Sequence, residues 1–114
     1  MHELSIADAI LEAARKEAAK HPGVRVTKVG VRIGALAGVD PDALTFGFDA
    51  LKQATDLASA GLEIEFVPRR HRCRQCETTF EVRDDGFGCP HCGSAESVFV
   101  SGDELDLTYL EVES

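Results

Sequence analysis

No run of apolar residues in the chain approaches the roughly twenty needed to cross a bilayer, which argues against a membrane helix. Nor is there an apolar core in the first twenty residues, where charges are interspersed, so no secretory signal is expected. A reducing, cytoplasmic setting is the expectation that follows. The chain lacks a Ser/His/Asp set and an isolated reactive cysteine, and Gly34-Ala-Leu-Ala-Gly38-Val39 has neither dinucleotide-fingerprint spacing nor the Gly-Lys-Ser/Thr of a phosphate loop. Nothing here points to an enzyme. Net positive charge is also missing: 12 Lys and Arg against 20 Asp and Glu leave −8, which disfavours nucleic acid as the main partner. Repeats and low-complexity segments are absent. What remains is a chain of 114 residues, 44% hydrophobic, able to bury one modest core with room for a small metal-held insert.

Cysteine is scarce too, but its placement is informative. All four cysteines fall in Cys73-Arg-Gln-Cys76 and, after twelve residues, Cys89-Pro-His-Cys92-Gly93. A Cys-x-x-Cys pair on a tight turn aims two thiolates at one point, and two facing turns make a tetrahedral site. Pro90 presets φ, and Gly93 accepts the positive φ expected after the last ligand. Zinc is the favoured ion and iron its main competitor. Two disulfides need an oxidising compartment, and a redox dithiol needs one pair at a strand–helix junction. A closed four-thiolate site is structural, so the function lies elsewhere. Arg69, Arg70, Arg72 and Arg74 crowd its entrance. They read either as compensation for the thiolate charge or as the contact surface of a zinc-ribbon nucleic-acid or protein adaptor. An iron-bearing electron carrier is a third reading, which leaves most of the chain unexplained.

The remaining segments predict a small α/β unit. A helix is expected over Ser5–Lys20, capped by Ser5 with Asp8 in the capping box, its buried stripe including Leu4, Ala7, Leu11, Ala14 and Ala18, with a Glu12–Lys16 pair outside. His21-Pro22-Gly23 ends it. A strand follows over 24–33 with Val29, Val31 and Ile33 on one face, and the opposite phase of Val24 and Val26 predicts a bulge near Thr27 or Lys28. Asp40 reads as the N-cap of a second helix, with Pro41 in its first position and Leu44, Phe48, Leu51 and Ala54 buried. A second strand places Leu62, Ile64 and Phe66 together. The last segment, 104–112, has Leu105, Leu107 and Tyr109 on one face and Thr108, Leu110 and Val112 on the other. Apolar residues on both faces predict a strand inside a sheet. The expected fold is α/β: a small mixed sheet with two helices, 1–69 with 103–114, and a zinc-ribbon insert over 70–102 whose final strand returns to the sheet. Asp84-Asp85-Gly86 reads as the ribbon's hairpin turn.

The remaining feature is Met1-His2-Glu3. The Met1 amine and the His2 amide close a five-membered chelate ring on a metal, and the His2 amide with its own imidazole Nδ1 closes a six-membered one. Deprotonated amide nitrogens favour square-planar Ni(II) or Cu(II), and the Glu3 amide is a further donor. The plainer alternative is an untethered terminal histidine.

With Met1-His2-Glu3-Leu4-Ser5 at its start, Arg32-Ile33-Gly34 in the first strand and the two cysteine pairs in this order, the chain resembles the HypA/HybF family over its whole length. That resemblance implies a nickel metallochaperone of [NiFe]-hydrogenase maturation, with Ni(II) as transferred cargo held by His2 and Glu3, and Zn(II) at Cys73, Cys76, Cys89 and Cys92. Asp40 is similar to an acidic position that completes the nickel site in family members, beside its helix-cap reading. The implied partners are the GTPase HypB, the hydrogenase large subunit and, in some organisms, urease accessory proteins. His71 and His91 flank the cysteine pairs as family histidines do; solvated loop histidines are the simpler reading. A membrane partner is not implied, and both a monomer and a homodimer stay open.

Overall fold

The computed structural model describes residues 2–83 and 88–114. Met1, a candidate nickel ligand, and the Asp84-Asp85-Gly86 turn lie outside the described residues. The element order is α1 (His2–Ala18), β1 (Arg25–Gly34), a 3-10 turn (Ala35–Ala37), α2 (Pro41–Lys52), β2 (Gly61–Val67), β3 (Arg70–Cys73), β4 (Thr79–Glu81), β5 (Ser97–Ser101) and β6 (Leu105–Glu113).

Two three-stranded sheets form, in the orders β2-β1-β6 and β4-β3-β5. The first is mixed: β1 runs parallel to β2 and antiparallel to β6. Both helices cover one of its faces, and Ala7, Ile10, Leu11 and Ala14 of α1 close on Val26, Val29, Val31 and Ile33 with Leu44 and Phe48 of α2. The second sheet is antiparallel throughout. The chain measures 55 × 28 × 15 Å with a radius of gyration of 17.8 Å. A compact chain of this length has about 13 Å. The two sheets therefore sit end to end, each with its own buried cluster.

The joint is a close backbone crossing. Leu36 N donates to Gly102 O at 2.7 Å and Gly34 N to Glu104 O at 2.8 Å. A Cβ on Gly34 would lie 2.1 Å from Gly102 O, and Gly102 itself has φ +123°. Glycine is the residue that both positions admit.

Several expectations are corrected. α1 starts at His2, so Ser5 is inside the helix and neither it nor Asp8 caps it. The Glu3 carboxylate reaches the Asp40 amide, and Leu4 rests 3.3 Å from where a Gly47 Cβ would lie; together they hold the extra turn. The helix ends at Ala18, not Lys20. Glu12 pairs with Arg15, at 3.3 Å, rather than with Lys16. α2 is capped by Asp40 as expected, but stops at Lys52 and leaves Ala54 exposed in a turn. Gly47, the residue that weakens α2's propensity, lets α1 approach: its Cβ would meet Leu4 and Ala7.

The bulge in β1 falls between Val26 and Lys28, which turns Val26, Val29, Val31 and Ile33 to one face. β6 is an edge strand, not an interior one. A second register shift, between Gly30 and Val31, makes Thr108 the extra residue on β6. It brings Leu105, Leu107, Leu110 and Val112 to the helix-bearing face and sends only Tyr109 to the other. The two-faced pattern was a bulge read as an interior strand.

Candidate metal centres

Four thiolates meet at the far end of the second sheet. Cys73 ends β3, Cys76 follows on its turn, and Cys89 and Cys92 come from the facing turn. Their sulfur atoms all lie within 4.8 Å of one another, with 3.5 Å between Cys73 and Cys92 and 3.6 Å between Cys76 and Cys89. Two turns of one design build this. Glu77 N donates to Cys73 O and Gly93 N to Cys89 O, while Cys73 N and Cys89 N donate to Thr78 O and Ser94 O. Amides inside each turn point at sulfur: Gln75 N at Cys73 (3.3 Å) and His91 N at Cys89 (3.4 Å). Gly93 takes φ +80°, as its position requires; Glu77, its counterpart, takes φ +64° despite its side chain.

The thiols polarise one another. The hydroxyl and amide of Thr78 draw Cys76 down to about 6. The Cys76 amide, with that of Gln75, lowers Cys73. For Cys92 the Ser94 amide acts in the same direction, yet Cys73, burial, Cys76 and Cys89 together push it up to about 12. Four thiolates so close cannot all ionise alone, and a cation at their centre removes the conflict. Arg69, Arg70, Arg72 and Arg74 are not among the leading influences on the thiols; backbone amides and Thr78 are. Arg70 faces Glu81 at 3.9 Å, and Arg69 Nε donates to His71 Nε2 at 3.3 Å. The basic run is thus partly spent inside the second sheet, against the adaptor reading. His71 is held by Ser97 Oγ at 2.8 Å and edged by Phe99, an internal packing residue. His91 is exposed, and its amide serves Cys89.

The second set is at the start of α1. Because the helix begins at His2, the amides of His2 and Glu3 have no carbonyl four residues earlier to bond to. Backbone nitrogen at this point is available without breaking the helix. α2 starts alongside: Asp40 N donates to Glu3 Oε2 at 3.3 Å. That amide, then Glu3's own and the His2 charge, hold the Glu3 carboxyl below its ordinary range. Asp40 caps α2 through one oxygen only, Oδ1, which accepts from Asp42 N at 2.9 Å and Ala43 N at 3.3 Å. Its other oxygen takes no part in the cap. Among the described residues, the side-chain atoms that converge as three or more metal ligands are those of the four cysteines; His2, Glu3 and Asp40 do not converge as side chains. The structure places these three at the ribbon-facing end of the first sheet, where both helices begin. It does not bring them into a ready-made cage.

Sequence reasoning missed Thr78 and Ser97, whose roles depend on the turn and on the neighbouring strand. A hydroxyl two residues after Cys76 is the only local sign of the first; the second has none.

The family model described as "Hydrogenase/urease nickel incorporation, metallochaperone, hypA" matches residues 1–112. The hydrogenase maturation factor HypA of Roseiflexus sp. is 47% identical over 114 residues, covering 99% of this chain and 93% of the relative. That of Geobacter metallireducens is 44% identical, covering 99% of this chain and 100% of its own. Among solved structures, the solution structure of the Ni metallochaperone HypA from Helicobacter pylori superposes with a TM-score of 0.64 at 22% identity, covering 96% of both chains. A second, the solution structure of a HypA protein, gives 0.58 at 22%, covering 99% of this chain and 93% of that one. At that identity the likeness is one of fold.

Proposed function

Because the chain belongs to the HypA family of nickel-incorporation metallochaperones, we propose that it carries Ni(II) at its N-terminus and hands it to a [NiFe]-hydrogenase during maturation. The imidazole and amide of His2 and the amide of Glu3 are the proposed donors, with the Met1 amine and the free oxygen of Asp40 as the remaining candidates. The observation that carries this reading is the start of α1 at His2, which leaves those amides without helical carbonyl partners beside Asp40. Nitrogen-rich, square-planar coordination suits Ni(II). Copper binds such donors at least as strongly, so supply and partner set the selectivity.

Cys73, Cys76, Cys89 and Cys92 hold Zn(II) in this proposal. A tetrahedron with 2.3 Å Zn–S bonds has sulfur edges of about 3.8 Å, and the turns already set two edges at 3.5 and 3.6 Å. With four protein ligands the zinc has no open position, so its role is to hold the second sheet together and it catalyses nothing. Residues 1–69 with 103–114 then form the nickel-binding unit and 70–102 the ribbon. The family's own description extends to urease, and the GTPase HypB, the hydrogenase large subunit and urease accessory proteins are the proposed partners, in the cytoplasm. Among the described residues no helix is long and apolar enough to cross a membrane.

Calorimetric titration of Ni(II) into zinc-loaded protein, with the visible d–d band followed in parallel, tests the site. One nickel per chain in a planar nitrogen field, lost in His2→Ala, is expected. A chain extended before Met1 reads the contribution of the terminal amine. Normal nickel binding by His2→Ala, or binding seen only as thiolate charge transfer, would overturn the assignment.

A further inference from the structure

The end of the sheet that faces the ribbon is incompletely covered. β1 and β2 finish there, both helices begin there, and the chain crosses there to β3. Ile33 pairs in register with Phe66 on one side and Leu105 on the other, so the three side chains form a row on the helix-bearing face. Ile33 is 1% exposed, while its neighbours Phe66 and Leu105 are 52% and 48% exposed. Leu36, from the 3-10 turn pinned to Gly102, adds a third apolar side chain at 50%. Single exposed apolar residues are ordinary; two flanking one buried residue, with a third on the adjoining turn, are an unfinished core.

The charge at the helix starts beside them is acidic, while Arg69 stands across the joint against Gly102. On the outer face of the same sheet, Glu63, Glu65 and Glu113 each meet Lys28, Arg32 or Arg25. At the helix starts, Glu3, Asp40 and Asp42 are in no ion pair among the described residues; Glu3 and Asp40 bond to backbone amides. Nickel does not cancel this charge when two deprotonated amides balance the dication. The loaded end remains acidic and keeps its apolar row.

We propose that Leu36, Phe66 and Leu105 are the docking surface for the protein that accepts the nickel, whose own surface offers an apolar centre bordered by Lys or Arg. This rests on the reading of His2 as the nickel site, which shares that end of the body. The occupant is set by continuity and by charge. An acceptor seated here lies against the cargo, and a basic border meets carboxylates that are in no ion pair among the described residues. A second copy of the chain brings the same acids to the contact and is disfavoured. A groove of about 480 Å³ between the C-terminal end of α1 and β6 is the competing surface. It lies at the opposite end of the first sheet, and its one lining acid, Glu17, faces Lys20, so charge marks no occupant there.

The test measures binding of the nickel-free large subunit of the organism's own hydrogenase to metal-free-terminus, zinc-loaded chain. Leu36→Ser/Phe66→Ser/Leu105→Ser should bind it at least tenfold more weakly, and Asp42→Asn should reduce the steepness of the salt dependence. Circular dichroism and zinc content confirm the fold, and Leu36→Ser alone, on a surface turn, provides a milder variant expected to weaken binding several-fold. Native-like binding by both apolar variants would overturn the proposal, as would the absence of binding by the native chain or self-association through these residues. Nickel affinity is read separately: it should be unchanged in the triple variant, so a failure of the His2 site and a failure of the docking surface give different results.

Discussion

Asp40 has two assignments, N-cap of α2 and nickel ligand, and two substitutions separate them. The cap uses Oδ1, and asparagine supplies the same oxygen to Asp42 N and Ala43 N. Asn and Asp are nearly equal as N-caps, whereas alanine costs about 1 kcal/mol. With an unfolding entropy of roughly 2.1 cal/mol/K per residue, that lowers the melting temperature of this 114-residue chain by about 4 °C. The metal side is electrostatic. A carboxylate about 4 Å from a dication under water-like screening contributes about 2 kcal/mol, close to 30-fold in affinity. Asp40→Asn should therefore melt within about 2 °C of the native protein and bind nickel about 30-fold more weakly. Asp40→Ala should show both losses. Paired thermal melts and calorimetric nickel titrations at low ionic strength read the two quantities independently. Nickel affinity within about twofold of native in Asp40→Asn would refute the ligand role and leave Asp40 as a cap.

Two further outcomes follow from the geometry. The ribbon's buried cluster consists of Cys73, Phe80 and Cys89, too small to order its segment, whereas structural zinc binding contributes on the order of 10–16 kcal/mol. A chelator on the reduced protein should expose the amides of β3, β4 and β5 to hydrogen exchange while α1 and β1 stay protected; retained protection in β3 would show that the metal is dispensable. Tyr109, the chain's one tyrosine, donates to Glu63 and is pushed up to about 12, first by that bond and then by burial. Because the folded value is raised, its stabilising contribution is complete below the ordinary value near 10 and is lost as pH rises through about 12. Phenolate absorbance should titrate near 12 in the native chain and move back toward 10 in Glu63→Gln, and an unmoved midpoint would show that Glu63 is not the cause.

The sequence carried the parts of this fold that depend on nearest neighbours. The cysteine turns, Gly93 after the last ligand, Asp40-Pro41 at a helix start and the bulge after Val26 are all local devices, and each is where its residues indicate. Long-range packing was not legible. Thr108 is a bulge only because β6 must keep register with Gly30 and Val31, so the strand's two-faced pattern pointed to an interior position it does not have. Gly47 lowers the helix propensity of α2, and its reason, the close approach of Leu4 and Ala7, lies on another helix. Phe66 alternates with Leu62 and Ile64 as expected, yet the helices, which begin at its end of the sheet, leave it half exposed.

The start of α1 bears most directly on function. A helix beginning at Ser5 would leave His2 and Glu3 on a free tail, able to bind a metal only by ordering itself first. Beginning at His2, the helix fixes both residues and still leaves their amides without carbonyl partners. Metal capture at those nitrogens then breaks no helical hydrogen bond, and release requires none to re-form. The positive ends of α1 and α2 meet at the same place, which would repel a bare dication but favours the anions there. Glu3, Asp40 and deprotonated amides are those anions. In the proposed carrier role, such an end would hold a metal through the charge its ligands acquire on binding, and would let it go when another protein supplies ligands of its own. The four-cysteine centre, built by two facing turns, has the opposite character: an ion held by all four sulfurs would have no open position through which to leave.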